Sequence, residues 1–289
     1  MNFRKSVLTA TLTVASLYFL SGCGSTPAPA TVSPMASVIL PVGSNPLAVA
    51  VNPVTNIAYV TNEASNTVTV VSGATNSLHT IPVGTNPYAV AVNSVTNQIY
   101  VGDQSSNTVS VIDGATNSVS STIPVGSVPT AIEVNSVTNT VYVANEGAAS
   151  VSVIDGTTNS VSATVPVGNG PKAVVVNSAT NAAYVANDFS GTVSVINGAN
   201  NKVTSTVTAG VDPIALAMDS ATNTVFIASS AAVFSLNAST GAITLVVDGA
   251  EPTAIAINSA TNTVYVPAEG TNTVTVFAPP AISSASIAN

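Results

Sequence analysis

The sequence predicts an all-β chain built from six four-stranded antiparallel sheets set radially, and three observations carry that expectation. A signature, Pro-Val-Gly-x-x-Pro, begins at Pro41, Pro82, Pro124 and Pro166 and returns in degraded form at Thr208 and Val247, giving spacings of 41, 42, 42, 42 and 39 residues. Between signatures, short runs rich in Val, Ile and Thr alternate with turn residues about every ten positions, as antiparallel strands do. Only 6% of the residues are charged, and no long helical pattern of Leu, Glu and Lys interrupts the Val, Ala, Ser, Thr and Asn.

A period near 42 with four strands per unit is that of a β-propeller blade. In the second unit the strands read Ala89 to Val92, Gln98 to Val101, Thr108 to Ile112 and Val119 to Ile123. Asn and Asp in the intervening turns offer side-chain to backbone hydrogen bonds, and Gly offers positive φ. The first strand of each unit is made of Ala and Val with little alternation, which suits a crowded inner edge buried on both faces. The fourth, as in "SVSSTI", is half Ser and Thr and suits an outer edge in water. Tyr59, Tyr100, Tyr142, Tyr184, Phe226 and Tyr265 recur at one position of the second strand. One ring per blade at one position reads as packing between blades rather than a stacking platform. The sixth unit lacks a fourth strand, and Ala36 to Leu40 precedes the first unit where a fourth strand would lie. The expected fold is therefore a six-bladed β-propeller over residues 36–280, closed by that N-terminal strand joining the last blade, so that no sheet edge stays open. The fifth unit is irregular, with "ASSAAVFSL" and with Asp219 where other units have Asn.

Residues 1–22 read as an export signal: Arg4 and Lys5 supply positive charge, and Val7 to Leu20 an apolar run too short to span a bilayer comfortably. Leu20-Ser21-Gly22-Cys23 resembles a bacterial lipobox, and the resemblance implies that Cys23, the one cysteine, becomes the lipidated first residue of the mature chain. Residues 23–35, rich in Pro and small polar residues, read as a lipid-anchored flexible linker, and 281–289 as a C-terminal tail. The expected location is extracytoplasmic and membrane-anchored, at the outer membrane, periplasmic side or cell surface. Without the signal, two cations, Lys172 and Lys202, stand against 12 acidic residues, a net charge of about −10. Such a chain cannot neutralise phosphates, so nucleic acid is excluded as a partner.

Tyr59-Val60-Thr61-Asn62, "VNSVTNTVYVAN" from Val134 to Asn145 and "NTVSVIDGATNSV" from Asn107 to Val119 resemble the YVTN family of β-propeller repeat proteins. The likeness covers about Ala36 to Pro280. It implies a surface-layer, periplasmic or secreted propeller and no particular chemistry, and six blades depart from the seven common in that family.

Function is sought where repeats differ. Loops between second and third strands begin with Glu63, Glu146, Asp188 and Glu269, with Asp103 displaced by one place, on the face shared with the links between units. Two readings stand: a carboxylate ring for a divalent cation or cationic ligand, or solvated turn acids. The second is favoured, because ligands on separate blades are spread around a channel. Lys172, Phe189 and Tyr88 on that face form a candidate contact patch, and Glu133 replaces an inner-strand alanine as a candidate channel carboxylate. Catalysis fares poorly by subtraction. The sole histidine, His79, falls on an outer strand, no cysteine nucleophile exists, and no Ser/His/Asp set assembles. No cofactor is expected. The expected function is a non-catalytic binding or scaffold propeller, monomeric, meeting envelope proteins or glycans; the alternative is a metal-dependent lactonase-like hydrolase at the central channel.

Overall fold

The structure is a computed structural model that describes residues 37–249 and 251–278. The expected signal, Cys23, and the expected linker and tail lie outside the described residues. Six antiparallel sheets follow one another along the chain, each a simple meander. The first is β1 (Pro46–Asn52), β2 (Ile57–Asn62), β3 (Thr67–Ser72) and β4 (Leu78–Pro82). The second is β5 (Pro87–Asn93), β6 (Gln98–Asp103), β7 (Thr108–Asp113) and β8 (Ser118–Pro124), each strand longer than the sequence suggests. The third is β9 (Pro129–Asn135), β10 (Thr140–Asn145), β11 (Ser150–Asp155) and β12 (Ser160–Pro166). The fourth is β13 (Pro171–Asn177), β14 (Ala182–Asn187), β15 (Thr192–Asn197) and β16 (Lys202–Thr208). The fifth is β17 (Pro213–Asp219), β18 (Thr224–Ser229), β19 (Ala232–Asn237) and β20 (Ile243–Asp248). The sixth has three strands, β21 (Ala256–Asn258), β22 (Thr263–Ala268) and β23 (Thr273–Phe277).

The first strands β1, β5, β9, β13, β17 and β21 lie one beside the next, while the fourth strands barely approach each other. The sheets therefore fan out from an inner edge of Ala and Val to an outer edge of Ser and Thr. Each adjoining pair of sheets encloses its own apolar core. Tyr59, Val68, Val70 and Ile81 of the first sheet meet Ile99, Val101 and Ile112 of the second, and the pattern repeats through Tyr100, Tyr142, Tyr184 and Phe226. The aromatic stripe is thus inter-sheet packing, as expected. Phe226 also meets Phe277 edge to face at 5.8 Å.

Asparagine, more than glycine, makes the turns. Asn56, Asn97, Asn139, Asn181, Asn223 and Asn262 all adopt positive φ between first and second strands, a conformation that Asn tolerates better than other residues with a Cβ. Glycines of the third turn were expected to supply positive φ, and Gly114 and Gly156 do not. They are there for room: a Cβ on Gly114 would sit 2.5 Å from Asn97 Oδ1, and one on Gly156 2.5 Å from Asn139 Oδ1. Those same asparagines tie sheet to sheet. Asn52 Nδ2 donates to Asn97 Oδ1 (2.8 Å), Asn93 to Asn139 (2.8 Å), Asn135 to Asn181 (2.9 Å) and Asn177 to Asn223 (2.6 Å). In the fifth sheet the donor position holds Asp219, which accepts from the Ala221 and Thr222 N–H groups and can donate nothing while ionised. The facing Asn262 Oδ1 is left buried without a partner.

The expected closure is not found. Residues 37–43 form no strand, Val38 is 62% and Ile39 95% exposed, and β23 pairs only with β22. Among the described residues no closed ring is formed. Pairing a five-residue segment with a strand five sheets away requires the first and last sheets to come together, and their outward faces remain uncovered: Val49 and Val51 on one, Val274 and Val276 on the other are all more than half exposed.

Replacing Asp219→Asn supplies the missing donor to Asn262. One buried hydrogen bond contributes about 1 kcal/mol, so the melting temperature in a thermal denaturation scan rises by about 2–4 °C; an unchanged or lower value refutes the assignment.

Candidate functional site

The links between sheets and the loops between second and third strands share one end of the molecule, stitched within each unit by backbone bonds. Glu63 N–H donates to the Asn45 carbonyl (3.0 Å), Gln104 to Asn86 (2.8 Å), Glu146 to Val128 (2.9 Å), Asp188 to Gly170 (2.8 Å) and Glu269 to Glu251 (3.3 Å). Three of these loops begin as a single 3-10 turn: Glu63–Ser65, Glu146–Ala148 and Asp188–Ser190. These bonds fix the frame, and Gln104, not Asp103, stands in the position of Glu63 and Glu146.

Asp103 must therefore leave the acidic rim. It closes β6 as Asn62, Asn145 and Asn187 close their strands, and all four are fully buried. In the three asparagine cases Nδ2 donates to two hydroxyls of the third strand: Thr67 and Thr69, Ser150 and Ser152, Thr192 and Ser194. Asp103 reverses the sense. Its Oδ2 accepts from Thr108 Oγ1 (3.0 Å) and Ser110 Oγ (2.7 Å), and its Oδ1 has no partner. Burial outweighs those hydrogen bonds and pushes the carboxyl up to about 6. The cradle is tight, since a Cβ on Gly84 would lie 2.5 Å from Asp103 Oδ2. This explains the glycine of the repeated Pro-Val-Gly: Gly126 and Gly168 approach Asn145 and Asn187 in the same way.

The remaining acids are held separately. Glu63 accepts from Asn45 Nδ2, Glu146 is half-buried, and Glu269 is exposed. Asp188, 8% exposed at its side chain, pairs through Oδ2 with Lys172 Nζ at 2.9 Å. Among the described residues no three His, Cys, Asp or Glu side chains approach closely enough to hold a metal ion.

Lys172 is the second residue of β13, and Tyr88 holds the same position on β5. The hydrogen bond that Lys172 donates to Asp188 is the main cause that raises the Lys172 ammonium above its ordinary value; the charges of Asp188 and Glu146, and of Tyr88 once ionised, add to it, against burial. Acids from two consecutive sheets thus act on one cation. Between Tyr88 and Lys172 in the series lies Thr130, whose Oγ1 donates to the Pro171 carbonyl (3.0 Å) and pins the third sheet to the fourth. Sequence reasoning missed that tie, and nothing in the residue pattern signals it. Phe189 follows Asp188 and is 70% exposed. Its ring lies against Gly170, where a Cβ would stand 2.8 Å from Cγ and where φ is +68°. Glycine is needed at 170 on both counts.

Glu133 pairs with Tyr142 across β9 and β10, which puts it on the inner strand and on the sheet face turned to the fourth sheet. The equivalent positions are Ala50, Ala91, Val175, Ala217 and Ala256. Burial alone pushes its carboxyl up to about 7. His79 is exposed on β4 opposite Val70. Two open grooves, of about 530 and 370 Å³, are lined by equivalent residues, Pro124 to Gly126 with Ser150 and Ser152, and Pro82 to Gly84 with Thr108 and Ser110. Their repetition marks them as the spaces left between sheets.

No protein-family profile matches the chain, and no curated protein matches it. Solved structures do. A chain of hydrazine synthase from Kuenenia stuttgartiensis is similar over 84% of this chain and 98% of its own, at TM-score 0.57 and 17% identity. A functionally unknown protein from Desulfotomaculum acetoxidans is similar over 83% of this chain and 84% of its own, at TM-score 0.67 and 14% identity. The chain has a β-propeller-like fold. At these identities the likeness extends to the fold alone.

Both shifted carboxyls are raised above their unfolded values of 3.8 and 4.5, so the folded state holds more protons than the unfolded one in between. Stability then falls as pH rises from about 4 to about 7 and levels off above. The double variant Asp103→Asn, Glu133→Gln should flatten that fall in melting temperature against pH. Asp103→Asn alone should stabilise by on the order of 1–3 kcal/mol at neutral pH and by little near pH 4. A gain equal at both pH values counts against the buried carboxylate.

Proposed function

We propose that this protein is a non-catalytic binding or scaffold module of the cell envelope, and that its partner, an envelope protein or glycan, meets the end carrying Phe189 and Lys172. The observation that carries this reading is the exposed Phe189 ring, held against Gly170 beside the Lys172–Asp188 pair. Repeated packing explains the residues shared by the repeats; an exposed aromatic next to a charge does nothing for the core, and such anchors dominate contact energies at interfaces. The ion pair is partly exposed and adds little stability, about 0–1 kcal/mol, which leaves its role to orientation and charge.

The repeat blocks support membership of the YVTN family, and the lipobox-like Leu20-Ser21-Gly22-Cys23 supports a lipid anchor at Cys23 on an exported chain. Several acyl chains, each contributing about 0.8 kcal/mol per buried CH₂, hold a protein at a membrane without any spanning segment.

Two measurements test the reading. In cell fractionation, Cys23→Ser moves the protein from the membrane to the soluble fraction; unchanged membrane association refutes the anchor. In that Cys23→Ser background, the purified chain is retained on immobilised envelope material, and the pair Phe189→Ser, Lys172→Ala reduces retention at least about tenfold, as loss of a contact anchor of 1.4 kcal/mol or more requires. Equal retention of both proteins, with matched melting temperatures, refutes the docking end.

A further inference from the structure

The two ends of the row of sheets carry exposed faces that match, in register, the two halves of each interface inside the row. Each inner sheet turns two different faces to its neighbours. The forward face carries the second-strand aromatic with two third-strand residues, Tyr59 with Val70 and Val68 in the first sheet. The backward face carries two first-strand valines, Val90 and Val92 in the second sheet, packed on that cluster. The same register makes Tyr265, Val276 and Val274 the forward face of the sixth sheet and Val49 and Val51 the backward face of the first. Val68 and Val70 are 0% and 4% exposed, whereas their counterparts Val274 and Val276 are 57% and 55% exposed. Val49 and Val51 are 64% and 56% exposed where Val90 and Val92 are half-buried.

The polar part of the interface is divided in the same way. At four interfaces the asparagine ending the first strand donates to the left-handed asparagine of the next sheet. The sixth sheet ends its first strand with Asn258, in the donor position, and the first sheet carries Asn56, in the acceptor position at φ 56°. Both are exposed, whereas Asn52, Asn93, Asn135 and Asn177 are buried.

We infer that the forward face of the sixth sheet docks the backward face of the first sheet of a second copy of this chain. The continuity with the interfaces inside the chain identifies the occupant: a sheet of this same repeat is what each face packs against wherever it is covered. A second copy can repeat the existing sheet-to-sheet geometry, whereas within one chain the two faces stay uncovered. The contact is heterologous, each copy offering a different face, so copies add head to tail. This assembly departs from the monomer that the sequence reading expects.

The full chain carrying Cys23→Ser, which removes its one thiol and with it any disulfide dimer, is followed by sedimentation velocity from sub-micromolar to tens of micromolar. Dimers and longer species should grow with concentration. Val49→Lys with Val51→Lys blocks one end, and Val274→Lys with Val276→Lys the other; all four positions are exposed, and unchanged melting temperatures confirm the fold. Each blocked protein alone should be monomeric, because its one open end finds only a blocked face. An equimolar mixture of the two should form dimers and nothing longer. A monomeric parent chain at every concentration, continued assembly of either blocked protein, or a mixture that stays monomeric overturns the inference.

Discussion

The asparagine in left-handed conformation between the first and second strands fixes how one sheet sits on the next. Packing of Val and Ala faces is non-directional and would tolerate sliding. Asn97 does not tolerate it. Its backbone conformation makes the turn, its carbonyl accepts from Gly114 N–H (2.9 Å), and its side chain accepts from Asn52 of the preceding sheet. One residue thus joins the first-strand turn, the third-strand turn and the neighbouring sheet. Because the bond is part-buried, breaking it leaves donor and acceptor unsatisfied, and that penalty makes the register specific.

Glycine and aspartate positions follow from that constraint. Gly114, Gly156 and Gly198 are small because an asparagine side chain occupies the space a Cβ would need. Gly84, Gly126 and Gly168 are small for the matching reason at the opposite end of the sheet, against Asp103, Asn145 and Asn187. Asparagine at those strand ends donates to hydroxyls, and aspartate can only accept while ionised. The two aspartates in the pattern, Asp103 and Asp219, therefore fall at positions where donation is the local rule: Asp103 accepts from the hydroxyls to which Asn62, Asn145 and Asn187 donate, and opposite Asp219 the Asn262 Oδ1 lacks the donor that Asn97, Asn139, Asn181 and Asn223 receive.

Much of this was legible in the sequence. The period, the four strands of each unit and the inner-to-outer order follow from spacing and from the shift from Ala and Val to Ser and Thr. The Tyr stripe follows from its constant strand position. What the sequence hid was relation between repeats. The Asn52–Asn97 bond joins residues 45 apart and the later ones residues 46 apart, a separation at which no local pattern betrays contact. Asp103 was misplaced because the acids were aligned on charge; aligned on the strand end, Asn62-Glu63, Asp103-Gln104 and Asn145-Glu146 fall into register at once. Closure by residues 36–40 rested on a missing fourth strand in the sixth sheet, and a vacant edge does not itself supply the curvature that would bring a partner to it.

The two ends of each sheet consequently carry different burdens. At the end of the first-strand turn the residue types are almost invariant from unit to unit, since the asparagine bonds leave no freedom. At the other end the loops are held by backbone bonds from Glu63, Gln104, Glu146, Asp188 and Ser230 N–H groups, which any side chain permits. Variation therefore accumulates there at little cost to the fold: Leu47, Tyr88, Thr130, Lys172 and Ile214 succeed one another at a single strand position, and only in the fourth sheet does the loop add an exposed aromatic. A repeat that locks its register at one end and leaves side chains free at the other separates stability from recognition, which is the condition for a new contact surface to arise without loss of the scaffold.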